Sequence, residues 1–283
     1  MTAKTKKARV TRKTESRPAG QSTCDRTTLD PESPDPESGD GSYFGGKGGC
    51  FRHLVNHIPP HDHLIVPFAG HCAIVRNMRL PSQVLINDLD GKVTRWWRRH
   101  LEVTTPEPET EYSTQIETQI EIRQQCGLEL LEEVRRRLQP GGVPPFVYLD
   151  PPYLLSTRKS GTRYQHELTH DEHIRLLAIA KELPCRVMIS GYSSKLYQQQ
   201  LADWRHFDFP SSTRGGMATE HVWCNYAEPS ELQDYRWLGR DRRERFKLLR
   251  REQNLIEKLS RLPAIERNAL LAAVDSHFGV GRR

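Results

Sequence analysis

The residues best suited to chemistry form one short run, Asp150-Pro151-Pro152-Tyr153, directly after the apolar segment Phe146-Val147-Tyr148-Leu149. Two prolines remove two backbone donors and stiffen the turn, so the Asp150 carboxylate and the Pro151 carbonyl can point outward together. Two acceptors side by side suit an exocyclic amino group, which has two hydrogens to donate. Tyr153 adds a ring against which a planar base can stack. A plain strand-ending turn uses the same dipeptides, but the apolar run placed directly before them favours the chemical reading. Three other segments are weaker. Pro67-Phe68-Ala69-Gly70-His71-Cys72-Ala73 is a small-residue turn that lets a nucleotide-like ligand approach the backbone, with Phe68 and Gly70 as the candidates. In Asn87-Asp88-Leu89-Asp90 an acid suits ribose hydroxyls or, equally, the N-cap of a following helix. Gly45-Gly46-Lys47-Gly48-Gly49 offers a lysine to an anionic or carboxylate group without the Walker spacing, and reads as readily as a linker end.

These segments need elements to position them, and the chain alternates strand-like and helix-like runs. His63–Phe68, Gln83–Ile86, Gln119–Arg123, Phe146–Leu149 and Cys185–Gly191 read as strands. Helices are expected over Ala73–Met78, from Asn87-Asp88 to Leu101, and over Leu128–Leu138, His170–Leu183 and Ser193–Asp203. Trp204–Phe209 and Glu220–Tyr226 can close the sheet as a hairpin across Gly215-Gly216. Apolar strands alternating with helices predict a mostly parallel seven-stranded sheet in an α/β fold, covered by helices on both faces. In such sheets a ligand sits beyond the carboxyl ends of the strands, where the candidate turns fall.

Charge divides the chain of 283 residues into three parts. Residues 1–41 have almost nothing apolar to bury and read as a disordered arm, with 8 basic and 7 acidic groups among the first 40. The body, 42–234, is nearly neutral. Residues 235–283 carry 13 basic and 6 acidic groups and read as a basic helical extension. Its apolar residues Phe246, Leu249, Ile256 and Leu259 recur at helical spacing, and a further helix is expected over Leu262–Val274. A localised basic element suggests a polyanion partner, with a merely solvated arginine-rich helix as the equal alternative. No apolar stretch approaches a membrane span, no secretory leader is visible, and the six cysteines lie 22 to 59 residues apart, so a cytoplasmic protein is expected. His53, His57, His61 and His63 lack cysteine or carboxylate partners at ligand spacing, so no metal is expected. Trp96-Trp97 reads as core and helix surface, and Arg135-Arg136-Arg137 as an exposed helix end.

Taken in order, Tyr43-Phe44-Gly45-Gly46-Lys47, Pro67-Phe68-Ala69-Gly70-His71, Ile86-Asn87-Asp88 and Asp150-Pro151-Pro152-Tyr153 resemble the motifs of the Dam-like adenine-specific DNA methyltransferases. The likeness extends through Leu154–Arg158, Arg186–Tyr192 and Thr213–Gly216, in the manner of phage and prophage members, and covers residues 42–228. The resemblance implies a Rossmann-like methyltransferase fold, S-adenosylmethionine as cofactor, adenine N6 as the methylated atom, and double-stranded DNA as partner. It assigns Tyr43, Lys47, Asp88 and Asp150 to the cofactor, and Asp150, Pro151 and Tyr153, with Pro152 between them, to the target adenine. Arg158, Lys159, Arg163 and Arg214 are the candidates for DNA contact. Three positions depart from the family pattern: Val66 stands where an acid is usual, Cys72 where a second small residue is usual, and Cys126-Gly127-Leu128 where an acid commonly follows the third strand. They motivate a rival reading, a catalytically inactive DNA-binding protein on the same fold. A third reading is an RNA amino-group methyltransferase, because Asp-Pro-Pro loops also occur there.

Overall fold

A computed structural model describes residues 6–11, 50–103, 117–138, 143–158, 165–213 and 216–279. The chain divides into two compact units, residues 1–233 and 234–283.

The first unit is built on one sheet. Its strands are β1 (Lys6–Thr11), β2 (His63–Val66), β3 (Gln83–Asn87), β4 (Glu117–Arg123), β5 (Phe146–Leu149), β6 (Arg186–Gly191), β7 (Arg205–Thr213) and β8 (Gly216–Cys224). The order across the sheet is β1-β4-β3-β2-β5-β6-β8-β7. From β4 to β6 every pairing is parallel, whereas β8 lies antiparallel to β6, and β7 antiparallel to β8. The seven expected strands are all present. An eighth, β1, pairs antiparallel with β4 inside the segment expected to be disordered. From Lys7 to Thr11 the run alternates in polarity, and the open edge of β4 supplies the ladder that such a short strand could not form alone.

Helices α1 (Phe51–Val55), α2 (Ala73–Asn77), α3 (Gly91–Val103), α4 (Gly127–Arg137), α5 (His170–Glu182) and α6 (Lys195–Gln200) fill the crossovers. Successive strand residues point to opposite faces. Ile65, Leu85, Val147, Leu149, Val187 and Ile189 share one core cluster with Leu128, Leu131, Leu176, Leu177 and Tyr197 of α4, α5 and α6. Their neighbours Leu64, Val66, Val84, Ile86, Phe146, Tyr148 and Met188 are as deeply buried, and so are Leu54, Ile74 and Trp97 of α1, α2 and α3. Both faces are therefore covered, which is why the parallel strands are apolar throughout rather than alternating. The hairpin is longer than its apolar residues suggest, because pairing continues to Thr213 opposite Gly216.

The second unit contains α7 (Arg242–Ser260) and α8 (Ala264–Phe278). Asp241 caps α7 by accepting the Glu244 backbone N–H at 2.8 Å, and Pro263 stops the chain between the two helices. Neither helix has a buried residue. No helix among the described residues is long and apolar enough to cross a membrane.

Candidate functional site

Neighbouring strands β2 and β5 send their chains to opposite sides of the sheet, since β2 leads to β3 and β5 leads to β6. Such a reversal leaves a crevice at the strands' carboxyl ends. A cleft opens there, with about 1010 Å³ of empty space, part of it continuous with solvent. Phe68 to Ile74 after β2, Asp88 to Asp90 after β3, Cys126 and Gly127 before α4, Tyr148, Asp150 and Pro152 at the end of β5, and Gln165 to Leu168 line it.

The turn after β2 is held from three directions. Ala69 N donates to the Asn87 carbonyl at 2.9 Å, Trp97 Nε1 donates to the Gly70 carbonyl at 2.7 Å, and Gly70 N donates to Asp88 Oδ2 at 2.8 Å. Gly70 has φ +45°, in the left-handed region that favours glycine. Asn87 is fully buried and ties three strand ends together. Its Nδ2 donates to the Pro67 carbonyl at 2.9 Å and the Gln125 carbonyl at 3.0 Å, and its Oδ1 accepts Gln125 N at 3.1 Å. The Asp88 carboxylate is thereby fixed at the cleft wall, with Asp90 N on Oδ1 at 2.8 Å. Burial raises its pKa above the usual carboxylate value, against the pull of these two backbone donors and of His166. Each oxygen accepts one backbone N–H and retains a second acceptor direction, which fits a vicinal diol such as ribose. Phe68 packs over the start of α4, where a Cβ on Gly127 would stand 2.5 Å from its ring.

The Asp150 loop is anchored by a chain of hydroxyls. Tyr148 OH and Ser190 Oγ, both buried, lie 2.9 Å apart, and Ser190 Oγ donates to Asp150 Oδ1 at 3.0 Å. Tyr153 OH donates to Glu220 Oε2 at 2.7 Å, and its ring meets Tyr192 edge-on with centroids 4.6 Å apart. Burial, with Asp150 and Glu220 nearby, pushes the Tyr153 phenol well above its ordinary pKa, so it stays a neutral donor. Glu220 joins the site without a motif to mark it, while Ser190, Tyr148 and Asn87 lie inside the motif-bearing runs without a role of their own. A serine closing the apolar run of β6 and an acid on the alternate positions of β8 are the only signals the sequence holds for two of them.

The expected residues thus fall into three groups. Phe68, Gly70, Asp88, Asp150 and Pro152 meet in the cleft, with Pro151 and Tyr153 beside them in the same loop. Tyr43, Lys47, Lys159, Arg163 and Arg214 lie outside the described residues. Arg158 is directed differently from the expectation of DNA contact. Its side chain is 6 % exposed, and its guanidinium bridges Glu167, with Nη1 to Oε1 at 2.8 Å and Nη2 to Oε2 at 2.6 Å, and also reaches the Tyr153 carbonyl. It clamps the loop after β5 onto the far wall of the cleft, because a buried guanidinium needs a carboxylate partner. Of the departures from the family pattern, Val66 and Leu128 are core residues, while Cys72 and Cys126 line the cleft.

Residues 43–127 match the family model of the D12 class N6 adenine-specific DNA methyltransferases. No curated protein matches the chain. Among solved structures the chain is similar to TrmK of M. capricolum in complex with S-adenosyl-homocysteine, at 11 % identity over 82 % of this chain and 98 % of that one, TM-score 0.38. It is also similar to an rRNA methylase from Streptococcus thermophilus, at 12 % identity over 62 % and 95 %, TM-score 0.38, and to a SAM-dependent methyltransferase from Agrobacterium tumefaciens, at 12 % over 62 % and 59 %, TM-score 0.37. These likenesses are distant. The family match bears out the resemblance to adenine-specific DNA methyltransferases over the motifs from Tyr43 to Asp88, though not its phage character, and supports methyl transfer from S-adenosylmethionine as the class of reaction.

Proposed function

We propose that the protein methylates adenine N6 in DNA. The observation that carries this reading is the Asp150 carboxylate, oriented by Ser190 in the Asp-Pro-Pro-Tyr loop and opening on the same cleft as Asp88 and Gly70. Asp88 would hold the cofactor's ribose hydroxyls, Phe68 and the Gly70 turn would flank its purine, and Tyr43 and Lys47 would take its amino-acid end. Bound there, S-adenosylmethionine supplies an electrophilic methyl group on a sulfonium.

The adenine amino nitrogen is a poor nucleophile because its lone pair is delocalised into the ring. Hydrogen bonds from its two hydrogens to the Asp150 carboxylate and the Pro151 carbonyl draw it toward tetrahedral geometry and localise that pair. As the nitrogen–methyl bond formed and the sulfur–methyl bond broke, the sulfonium would leave as a neutral thioether, and the Asp150 carboxylate would guide the surplus N6 proton toward solvent. Tyr153, held by Glu220, stacks on the base. Positioning and electrostatic stabilisation carry the step, with no covalent enzyme intermediate. The base must leave the duplex to reach this pocket, so flipping is part of the reaction. Incubation with labelled cofactor and, separately, duplex DNA, DNA with N6-methyladenine in place of adenine, and RNA tests the reading. Transfer to ordinary DNA alone is expected; transfer only to RNA, or none despite cofactor binding, overturns it.

A further inference from the structure

The β7–β8 ribbon carries a second cluster of side chains, separate from the cleft. His206 and Asp208 are two residues apart on β7 and so share a face. The ladder sets Asp208 opposite His221, and His206 opposite Trp223. Three potential ligands therefore converge on one face: His206 Nε2 and His221 Nδ1 share a hydrogen bond at 2.9 Å, and one ligand atom from each of His206, Asp208 and His221 falls within 4.8 Å of the others. The imidazoles stack with centroids 5.1 Å apart. Trp223 packs against both, at 5.3 Å from His206 and 5.9 Å from His221, and forms an apolar floor. His206 and Asp208 are exposed, so the opposite side is open to water.

We propose that His206, Asp208 and His221 form a binding site for a borderline divalent transition-metal ion, of which zinc is the type. Two imidazole nitrogens and one carboxylate oxygen make a donor set that zinc accepts with water completing the tetrahedron, whereas magnesium and calcium prefer all-oxygen sites. Two nitrogens bound tetrahedrally at the usual zinc distance stand about 3.3 Å apart. Binding replaces the hydrogen bond between the rings: its proton moves to the far nitrogen of its own ring, and the rings part by a few tenths of an ångström and turn both lone pairs toward the ion. The ligands have no motif spacing and meet only through strand register, so the site is invisible to a reading of the sequence.

The ion would act as a clamp. His221 follows Glu220, and successive strand residues face opposite ways, so metal on one face fixes the stretch of β8 whose opposite face holds Tyr153. This site is independent of the methyl-transfer reading, since its ligands take no part in the cleft.

The test uses the full chain, stripped with a chelator and titrated with Zn²⁺ by calorimetry and with Co²⁺ by visible absorption. One ion per chain is expected, with the bands of a four- or five-coordinate Co²⁺ and a higher melting temperature when zinc is present. His206→Gln, His221→Gln and Asp208→Asn should each weaken binding by at least about tenfold, since even outer-sphere partners of a metal site are worth that much. Asp208→Asn alters an exposed side chain, so it tests the site even if a histidine variant fails to fold. Absence of binding to the wild-type chain overturns the proposal, as does undiminished binding in folded variants, which would place the ion elsewhere.

Discussion

Replacing Asp150 by asparagine isolates the group on which the proposed chemistry depends. The side chain keeps its shape, and its amide oxygen can still accept the Ser190 hydroxyl now 3.0 Å from Oδ1. With the oxygen held there, the amide nitrogen takes the place of Oδ2 and presents hydrogens where a carboxylate presented lone pairs. An adenine amino group would then meet a donor with a donor. The loss combines a charge-assisted hydrogen bond, worth about 1.5–3 kcal/mol, with its replacement by a repulsive contact. Removal of a comparable preorganised group lowers turnover about 10²–10³-fold, and Asp150→Asn should reach at least that. The assay is single-turnover transfer of labelled methyl to DNA, with cofactor affinity measured by calorimetry and folding by a thermal melt. A loss confined to the chemical step, in a folded protein that still binds cofactor, is the expected result. Near wild-type turnover would refute the reasoning outright. Ser190→Ala is the companion: Asp150 remains but loses its tether, and the buried Tyr148 hydroxyl loses its 2.9 Å partner. It should therefore slow transfer less than Asp150→Asn while costing about 1–3 kcal/mol of stability in denaturant unfolding.

Asp88→Ala should weaken cofactor binding by the equivalent of about 1.5–3 kcal/mol with turnover at saturation little changed, because Asp88 grips the cofactor and not the reacting atoms; unchanged affinity by calorimetry contradicts this. Gly127→Ala places a methyl 2.5 Å from the Phe68 ring, so the ring must swing or α4 must move, at a cost of about 1–3 kcal/mol in unfolding free energy and with weaker cofactor binding; equal melting and affinity would show that the ring moves freely. Truncation after Asp234 removes α7, whose Arg242, Arg243, Arg245, Lys247, Arg250 and Arg251 all belong to a helix without a buried residue. DNA binding should weaken across sequences, and the slope of log K against log salt should become shallower by about 0.9 for each phosphate that the helix had neutralised; an unaltered slope in a folded truncated chain means that the helix is only surface.

The strands and turns are legible in the sequence because of how a covered parallel sheet is built. Strands β2, β3, β5 and β6 are buried on both faces and so appear as apolar runs, and the turns that follow them contain the residues lining the cleft. Strand β1 is hidden for the opposite reason: Lys6–Thr11 has little to bury, and only the exposed edge of β4 gives it a partner. The place of Arg158 beside the Asp150 loop suggests an outward charge, while Glu167, nine residues further on, draws it inward.

What escapes the sequence entirely is the set of pairings fixed by register between distant strands. Ser190 reaches Asp150 across 40 residues, and Glu220 reaches Tyr153 across 67. Neither pair follows a periodicity, so neither can be found by spacing. Strand β8 shows why such pairings gather around a site. One face supplies Glu220 to the loop that carries the chemistry, and the opposite face supplies His221 to the cluster with His206 and Asp208. A strand that pairs on both sides, with β6 and β7, has its backbone fixed by two ladders. A side chain on it can therefore orient a loop with little added freedom. If metal fills the cluster on the opposite face, the ribbon stiffens further, and the Glu220 bond to Tyr153 is the link through which that stiffness would reach the target base.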